Sequence, residues 1–209
     1  MRTTLIRNVF LMIGTAGLIG GAAHAQTDLS ASLYGAFTGT SNGNGTVQSP
    51  SNAAGFLLDV RHIRNPIIGY EATYSFNRAN QKYASNLNNC PVGGILPCPP
   101  PPVSVGANAH EITGDWVASM KIANLRPFAL AGAGLLFDAP VSGQASTSST
   151  TKPVFVYGGG VDWGLLPHIG LRLQYRGNLY KAPGLTTLFT STGAFTHTAE
   201  PTIGVYLRL

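Results

Sequence analysis

The sequence predicts an all-β protein: an eight-stranded antiparallel up-and-down transmembrane β-barrel, preceded by a cleavable signal peptide. Three observations support this prediction: an N-terminal export signal, eight segments in which apolar and polar residues alternate, and connections that alternate between short and long. Charged residues make up only 10% of the chain, well below the roughly 25% of ordinary soluble domains. A chain this poor in charge can still span a membrane, because a closed barrel satisfies its backbone hydrogen bonds internally.

Residues 1–25 have the three parts of a secretory signal peptide. Two arginines provide a positive start, an uncharged apolar run follows, and the segment ends on the small-x-small cleavage site Ala23-His24-Ala25. The apolar run is shorter than the roughly 20 residues that a membrane-spanning helix needs. We therefore expect cleavage, export from the cytoplasm and a single barrel domain over residues 26–209; an uncleaved N-terminal anchor is the alternative.

Eight segments of the mature chain alternate with the period of two that is typical of β-strands. The pattern is clearest after Ile68, where Ile, Tyr, Ala, Tyr and Phe alternate with Gly, Glu, Thr, Ser and Asn. The fifth segment is apolar on both faces, so its register stays undetermined. The predicted strands are Asp28–Gly39, Ala54–His62, Ile68–Asn77, Asn108–Lys121, Phe128–Phe137, Val154–Leu165, Ile169–Tyr180 and Ala199–Leu209.

The connections between these strands alternate in length. Those at 63–67, 122–127 and 166–168 are short, and the four others are long and rich in Gly, Asn, Ser, Thr and Pro. Membrane barrels show this alternation, with short periplasmic turns and longer outer loops, whereas a soluble sandwich has no reason to keep its short turns at one end. We therefore predict location in a bacterial outer membrane, with both termini at the periplasmic end.

Most of the charge lies on the polar face of the predicted strands. A charge on the lipid face costs about 2–4 kcal/mol at the bilayer midplane, so the polar face is expected to line the barrel interior. An eight-stranded barrel is just wide enough for side chains to fill, and buried charges there must pair. We predict a barrel-interior charge network of Asp59, Arg61, Glu71, Glu111, Asp115, Asp162, Arg172, Arg176, Glu200 and Arg208.

Two roles for this network stay open. A structural plug would fix the strand register, and a gated path would pass ions; the small lumen favours the plug. In either role we expect the acids on the third and fourth predicted strands to meet Arg61, Arg172 and Arg176.

The opposite face of the strands is apolar and aromatic, as contact with lipid requires. Large aromatic residues at the two membrane interfaces would form girdles. The predicted girdle residues are Tyr70, Phe76, Trp116, Phe155, Trp163 and Tyr175. A soluble periplasmic ligand-binding barrel is the chief alternative, and it would place the apolar face inside.

The mature chain resembles the eight-stranded outer-membrane barrels of the porin-like and OmpA-like families. The resemblance rests on the signal peptide, the Glu and Arg residues of the inner face, and the terminal strand Pro201–Leu209. In those families the last strand alternates apolar residues and ends in an aromatic residue, which the insertion machinery reads; here the alternation is kept and the end is Leu209. The resemblance implies outer-membrane lipid and the barrel-insertion machinery as partners, and we expect a monomer.

Cys90 and Cys98 are the only cysteines, and in an oxidising compartment we expect them to form a disulfide. Two cysteines without a nearby histidine pair do not make a metal site, so no metal and no cofactor is predicted. Nucleic-acid binding is not expected either, because the sequence has no dense Lys/Arg cluster with interleaved aromatics.

The function that the sequence predicts is a structural, envelope or surface-interaction role, with slow porin-like solute passage as an option and an unnamed surface ligand for the long loops. We predict no catalytic residue. The enzymatic alternative is a lipid-modifying acyl hydrolase or transferase, because His, Ser and an acid are the residue types of acyl transfer. Its candidate residues are Ser191, His197 and Glu200, and His110 with Glu111.

Overall fold

The computed structural model describes residues 26–64, 67–86, 100–141 and 146–209. The predicted signal peptide, Cys90 and Cys98 lie outside the described residues, and so does the predicted disulfide. Within these ranges, no helix is long and apolar enough to cross a membrane.

The described residues form ten strands. Their bounds are β1 (Gln26–Thr38), β2 (Ser41–Gly43), β3 (Thr46–Pro50), β4 (Ala53–Ile63), β5 (Ile68–Ser85), β6 (Val103–Ser119), β7 (Leu125–Pro140), β8 (Thr150–Gly164), β9 (Ile169–Lys181) and β10 (Phe195–Arg208).

Eight of these strands close into an antiparallel barrel. Their order around the barrel is β1-β4-β5-β6-β7-β8-β9-β10, and β10 pairs back to β1 from Asp28↔Arg208 to Thr38↔Thr198. Neighbours in space are neighbours in sequence, apart from the small hairpin β2–β3, so the topology is up-and-down. The predicted fold class is thereby confirmed.

The barrel has two different ends. The start of β1, the end of β10 and the strand ends joined by the three short connections lie at one end, called the terminal end below. The strand ends joined by the four longer connections lie at the other end, called the loop end. β5 has 18 residues, more than the roughly 9–11 that a tilted strand needs to span a membrane, so its last part projects at the loop end.

The projecting part of β5 is longer than the sequence predicted. The predicted strands Ile68–Asn77 and Asn108–Lys121 stop short of a ladder that continues without a break to Tyr83↔Val103. The hairpin β2–β3 adds to the other edge of β5, from Thr46↔Ser85 to Pro50↔Gln81. Pairing with residues far along the chain, and not the local apolar pattern, makes this segment a strand.

The hairpin β2–β3 turns on Asn44 and Gly45. Both residues have positive φ angles, 51° and 76°, as a two-residue hairpin turn requires, and Asn-Gly is the pair that adopts them most readily. The sequence predicted a turn here but not the short strands on each side.

Strand alternation sorts the side chains between the inside and the outside of the barrel. On β1, Ser32 is 5% exposed and the adjacent Leu33 is 67% exposed. The undetermined register of β7 is resolved in the same way: Phe128, Leu130 and Leu136 are buried inside, and Leu135 is exposed outside. The barrel therefore has an apolar outer surface and a mostly polar interior.

Candidate functional site

All eight acidic residues of the chain are buried in the barrel, and none is more than 4% exposed. They are Asp28, Asp59, Glu71, Glu111, Asp115, Asp138, Asp162 and Glu200. Sequence reasoning missed Asp28 and Asp138 as interior groups. Asp138 lies one residue beyond the predicted end of its strand, on the same face as Phe128. Both positions could have been predicted from the free-energy cost of an acid on the lipid face, because this cost forces any acid in a strand to point inward.

Arg61 on β4 spans the lumen. Its Nε donates to Glu71 Oε2 on β5 over 2.6 Å, and its Nη1 donates to Asp162 Oδ2 on β8 over 3.1 Å. β4 and β8 lie on opposite sides of the eight-strand circle, so this one side chain joins two opposite walls. The guanidinium is fully buried, and its ion pairs replace the solvation that it loses.

Arg172 on β9 forms a second cross-link at nearly the same height. Nε and Nη2 hold both oxygens of Asp162 at 2.7 and 3.1 Å, the two-armed geometry that guanidinium and carboxylate favour. Nη1 donates to Asp59 Oδ1 on β4 over 2.6 Å. Asp59 also accepts a hydrogen bond from Ser30 Oγ.

Phe128 on β7 fills the space that these two arginines leave. The Arg61 Cζ lies 3.9 Å from the centroid of the Phe128 ring and the Arg172 Cζ lies 5.5 Å from it, both within cation–π range. Gly160 on β8 makes room for the ring, since a Cβ added there would lie 2.8 Å from Phe128 Cζ. A glycine in the Gly158–Gly160 run therefore serves close packing.

Arg176 lies four residues beyond Arg172 on β9, towards the loop end, and contacts three acids. Its Nη1 lies 3.2 Å from Asp115 Oδ2 and 3.5 Å from Glu71 Oε1, and its Nη2 lies 3.7 Å from Glu111 Oε1. Asn178 Nδ2 donates to Glu111 Oε2 over 2.9 Å. The structure thus brings Glu71, Glu111 and Asp115 together with arginines, and Glu71 links the Arg61 and Arg176 groups.

Arg208 lies apart from these groups, at the terminal end. Its Nε is 3.8 Å from Asp28 Oδ1, and Arg126 Nη1 is 3.5 Å from Asp28 Oδ2. Neither Asp28 nor Arg126 belongs to the predicted network. Arg126 escaped prediction because it lies in a connection predicted as a short turn, whereas β7 begins at Leu125.

Glu200 and Asp138 lie near the loop end, where the interior is less completely paired. Within the described part of the chain, neither Glu200 Oε2 nor Asp138 Oδ2 has a hydrogen-bond partner. Both residues line a cavity of about 30 Å³, close to the volume of one water molecule. This cavity is called the chamber below.

The six predicted girdle residues all face outward. Tyr70, Trp116 and Trp163 lie near the terminal end of their strands, where the register pairs Tyr70 with Trp116. Phe76 and Phe155 lie nearer the loop end, and Tyr175 lies midway along β9. The outer surface between them is apolar, with Leu, Ile and Val side chains exposed along the strands.

The residues of the predicted acyl-transfer alternative lie on two different faces. His197 contacts Tyr157 outside the barrel, with 3.0 Å between Nε2 and the hydroxyl, and Glu200 is buried inside. His110 likewise contacts the Tyr74 hydroxyl on the outside, while the adjacent Glu111 faces Arg176. Neither histidine therefore has the acid that a catalytic set would require. Among the described residues, no group of three or more His, Cys, Asp or Glu side chains is arranged to hold a metal ion.

The fold is that of the eight-stranded outer-membrane β-barrels. It is similar to OprG from Pseudomonas aeruginosa, with a TM-score of 0.61 and 10% identity over 90% of this chain and 98% of that chain. It is similar to Ail of Yersinia pestis, determined in complex with the heparin analogue sucrose octasulfate, with a TM-score of 0.52 and 15% identity over 90% and 100% of the two chains. For Neisserial surface protein A the TM-score is 0.52, with 14% identity over 90% and 99%.

No protein-family profile matches the sequence, and no curated protein matches it. The predicted resemblance to eight-stranded outer-membrane barrels is confirmed at the level of the fold. The inverted polarity of the barrel, apolar outside and charged inside, requires a lipid environment and disfavours the soluble periplasmic alternative. The fold and this polarity together confirm the predicted location in the bacterial outer membrane.

Proposed function

We propose that the protein is a non-conducting outer-membrane barrel that acts as a monomeric structural anchor, with its loop end available for surface interactions. The observation that carries this proposal is the set of three fully buried arginines, Arg61, Arg172 and Arg176, whose ion pairs join walls across the lumen. A solute that moved through the barrel would have to break these pairs and leave buried charges without partners, which is strongly unfavourable.

A conductance measurement in planar lipid bilayers tests this proposal. We expect the wild-type barrel to show no unitary current steps, because guanidinium groups and Phe128 occupy its cross-section. We expect the double variant Arg172→Ala, Arg176→Ala to show unitary current steps, because two of the three arginine side chains that cross the lumen are then replaced by methyl groups.

The heat-modifiable mobility of each sample in detergent gels serves as the control for folding. Regular current steps from the wild-type barrel would contradict a closed lumen. A folded double variant without current steps would show that these arginines do not close the lumen.

A second proposal concerns the ligand of the loop end: the charge distribution favours a polyanion. All eight acids are buried, so the exposed charged side chains of the described residues are cations. Three of them, Arg78, Lys82 and Lys181, project outward towards the loop end. The neighbour Ail was crystallised with a sulfated ligand, but the support here comes from the charges of this chain.

Retention on an immobilised sulfated polysaccharide tests the polyanion proposal. We expect the double variant Lys82→Gln, Lys181→Gln to elute at a lower salt concentration than the wild type, since fewer ionic contacts reduce salt-dependent affinity. The double variant Arg64→Gln, Lys121→Gln is the matched control, because both residues are exposed but lie at the terminal end. Equal shifts in the elution salt concentration for both variants would mean that only net charge affects retention. That result would contradict a polyanion-binding surface at the loop end.

A further inference from the structure

The connection between β9 and β10 crosses the mouth of the barrel. Leu185 in this connection is fully buried, and it packs with Tyr83 of β5 and with Val105 and Ala107 of β6. β5 lies opposite β9 in the eight-strand circle. Residues 182–194, called the cap below, therefore reach from one wall to the opposite wall over the lumen.

Tyr83 holds the cap at the far wall. Its hydroxyl donates to the Pro183 carbonyl over 2.7 Å and accepts from the Leu185 N–H over 3.1 Å, and its ring stacks with Phe189 at 6.4 Å between centroids. Tyr83 lies in the projecting part of β5, where burial raises its pKa to about 12. The hydroxyl therefore stays protonated at physiological pH and keeps its hydrogen bond to Pro183.

Several further hydrogen bonds fasten the cap to neighbouring connections at the loop end, including those from Thr186 and Thr187 to the Ser146 carbonyl. Ser148 N–H donates to the Leu185 carbonyl over 3.0 Å. On the side of the β2–β3 hairpin, Asn44 Nδ2 donates to the Ser191 carbonyl over 2.9 Å. These are separate contacts at single points and not a continuous strand ladder, and segments held in this way open at a lower free energy than the barrel wall.

The chamber adjoins the apolar cluster that holds the cap. Ala107 lines the chamber and also belongs to the apolar cluster around Leu185. Three carboxylates, Glu111, Asp138 and Glu200, line the same space.

The chamber holds three carboxyl groups, and few cations face them. Arg176 is the guanidinium nearest to it, and this group is shared with Glu71 and Asp115. Lys152 faces the rim from β8, on the inner face diagonal to Asp138. In addition to Asp138 Oδ2 and Glu200 Oε2, the Asn178 Oδ1 atom lacks a hydrogen-bond donor among the described residues although Asn178 is only 1% exposed. These oxygens would accept hydrogen bonds from, or contact, a small cation.

We propose that residues 182–194 form a cap that controls access from outside to this acidic chamber, and that the opened chamber admits small cations in preference to anions. The chamber lies on the loop side of Arg176, so it can open while the arginine groups keep the barrel closed. This inference is therefore independent of the proposed non-conducting role. Leu185 is the residue whose burial closes the cap, and the carboxylates are the groups that select charge.

Chemical access to a reporter cysteine tests the proposal. The reporter is Ala36→Cys, which lines the chamber on β1, in a chain whose Cys90 and Cys98 are replaced by serine. Its rates of reaction with a cationic and an anionic methanethiosulfonate reagent are measured on folded protein in lipid vesicles. Leu185→Ser is expected to raise the reaction rate of the cationic reagent at least tenfold. In this variant the anionic reagent is expected to react several-fold more slowly than the cationic reagent.

Two control variants make the outcome specific. Leu188→Ser changes another cap residue, but Leu188 is 52% exposed and its substitution is expected to leave the rates unchanged. Thr40→Cys, an exposed loop-end position, corrects for the intrinsic reactivity of each reagent. Equal reporter rates with and without Leu185→Ser would overturn the cap, and equal corrected rates for the two reagents would overturn the charge preference.

Discussion

Arg61→Met is expected to lower the free energy of unfolding by about 3–5 kcal/mol, the usual cost of removing one partner from a buried ion pair. Methionine matches much of the length of the arginine side chain but none of its charge. Glu71 and Asp162 would each lose a hydrogen bond from Arg61 inside a dry interior, and Phe128 would lose the guanidinium 3.9 Å above its ring. Arg172 would still join Asp59 on β4 to Asp162 on β8, but its Nη1 lies 3.7 Å from Glu71 Oε2 and does not replace the hydrogen bond that Glu71 loses.

Urea unfolding in lipid vesicles, followed by tryptophan fluorescence, measures this effect. Arg64→Met is the matched control, because Arg64 is exposed in the connection that follows β4 and surface substitutions change stability by only about 0.5 kcal/mol. Arg61→Lys is expected to fall between the two, since a lysine keeps the charge but not the two-armed geometry. Similar unfolding curves for Arg61→Met and Arg64→Met would show that the buried network does not stabilise the barrel.

Leu173→Arg is the second substitution with a large expected effect, about 2–4 kcal/mol of destabilisation in a lipid bilayer. Leu173 is 51% exposed on the outer face near the middle of β9. A cation there would lie in the hydrocarbon core, and the cost of an arginine on the lipid face is greatest at the midplane.

The control for depth is Ile169→Arg, on the same face of the same strand but at its terminal end. Because the cost falls to about 0–1 kcal/mol near the interface, this variant should refold nearly as well as the wild type. The same unfolding assay in vesicles compares the two. Equal losses of stability at both positions would contradict the assignment of this face to lipid.

Strand alternation made the faces of the barrel predictable. In β5 between Ile68 and Asn77, the residue type indicates whether the side chain faces outward or inward. The membrane outside requires apolar side chains, whereas the narrow lumen inside accepts polar ones. β7 was harder, since small apolar residues such as Ala and Gly are tolerated on both faces. Its register became clear only where Leu136 and Asp138 face Lys152 and Thr150 across the ladder.

The cap and the projecting part of β5 could not be predicted from local pattern. Leu185 and Phe189 lie in a polar connection, and their burial depends on Tyr83, about one hundred residues earlier in the chain. The chamber depends on the same long-range contacts. Residue identity predicted six of the eight acids that turn inward, but only the closed barrel shows which acids lack a cationic partner.

The arginine cross-links also bear on how the barrel can assemble. Arg61 and Asp162 are 101 residues apart, and Arg172 and Asp59 are 113 residues apart, so neither pair can form in a hairpin or in an early part of the sheet. An open sheet would already pair Arg61 with Glu71 and Arg172 with Asp162 across adjacent strands, but it would leave Asp59 without Arg172. Because the remaining ion pairs form only when opposite walls meet, closure of the barrel completes the network, and a partly assembled sheet keeps some interior charges without partners.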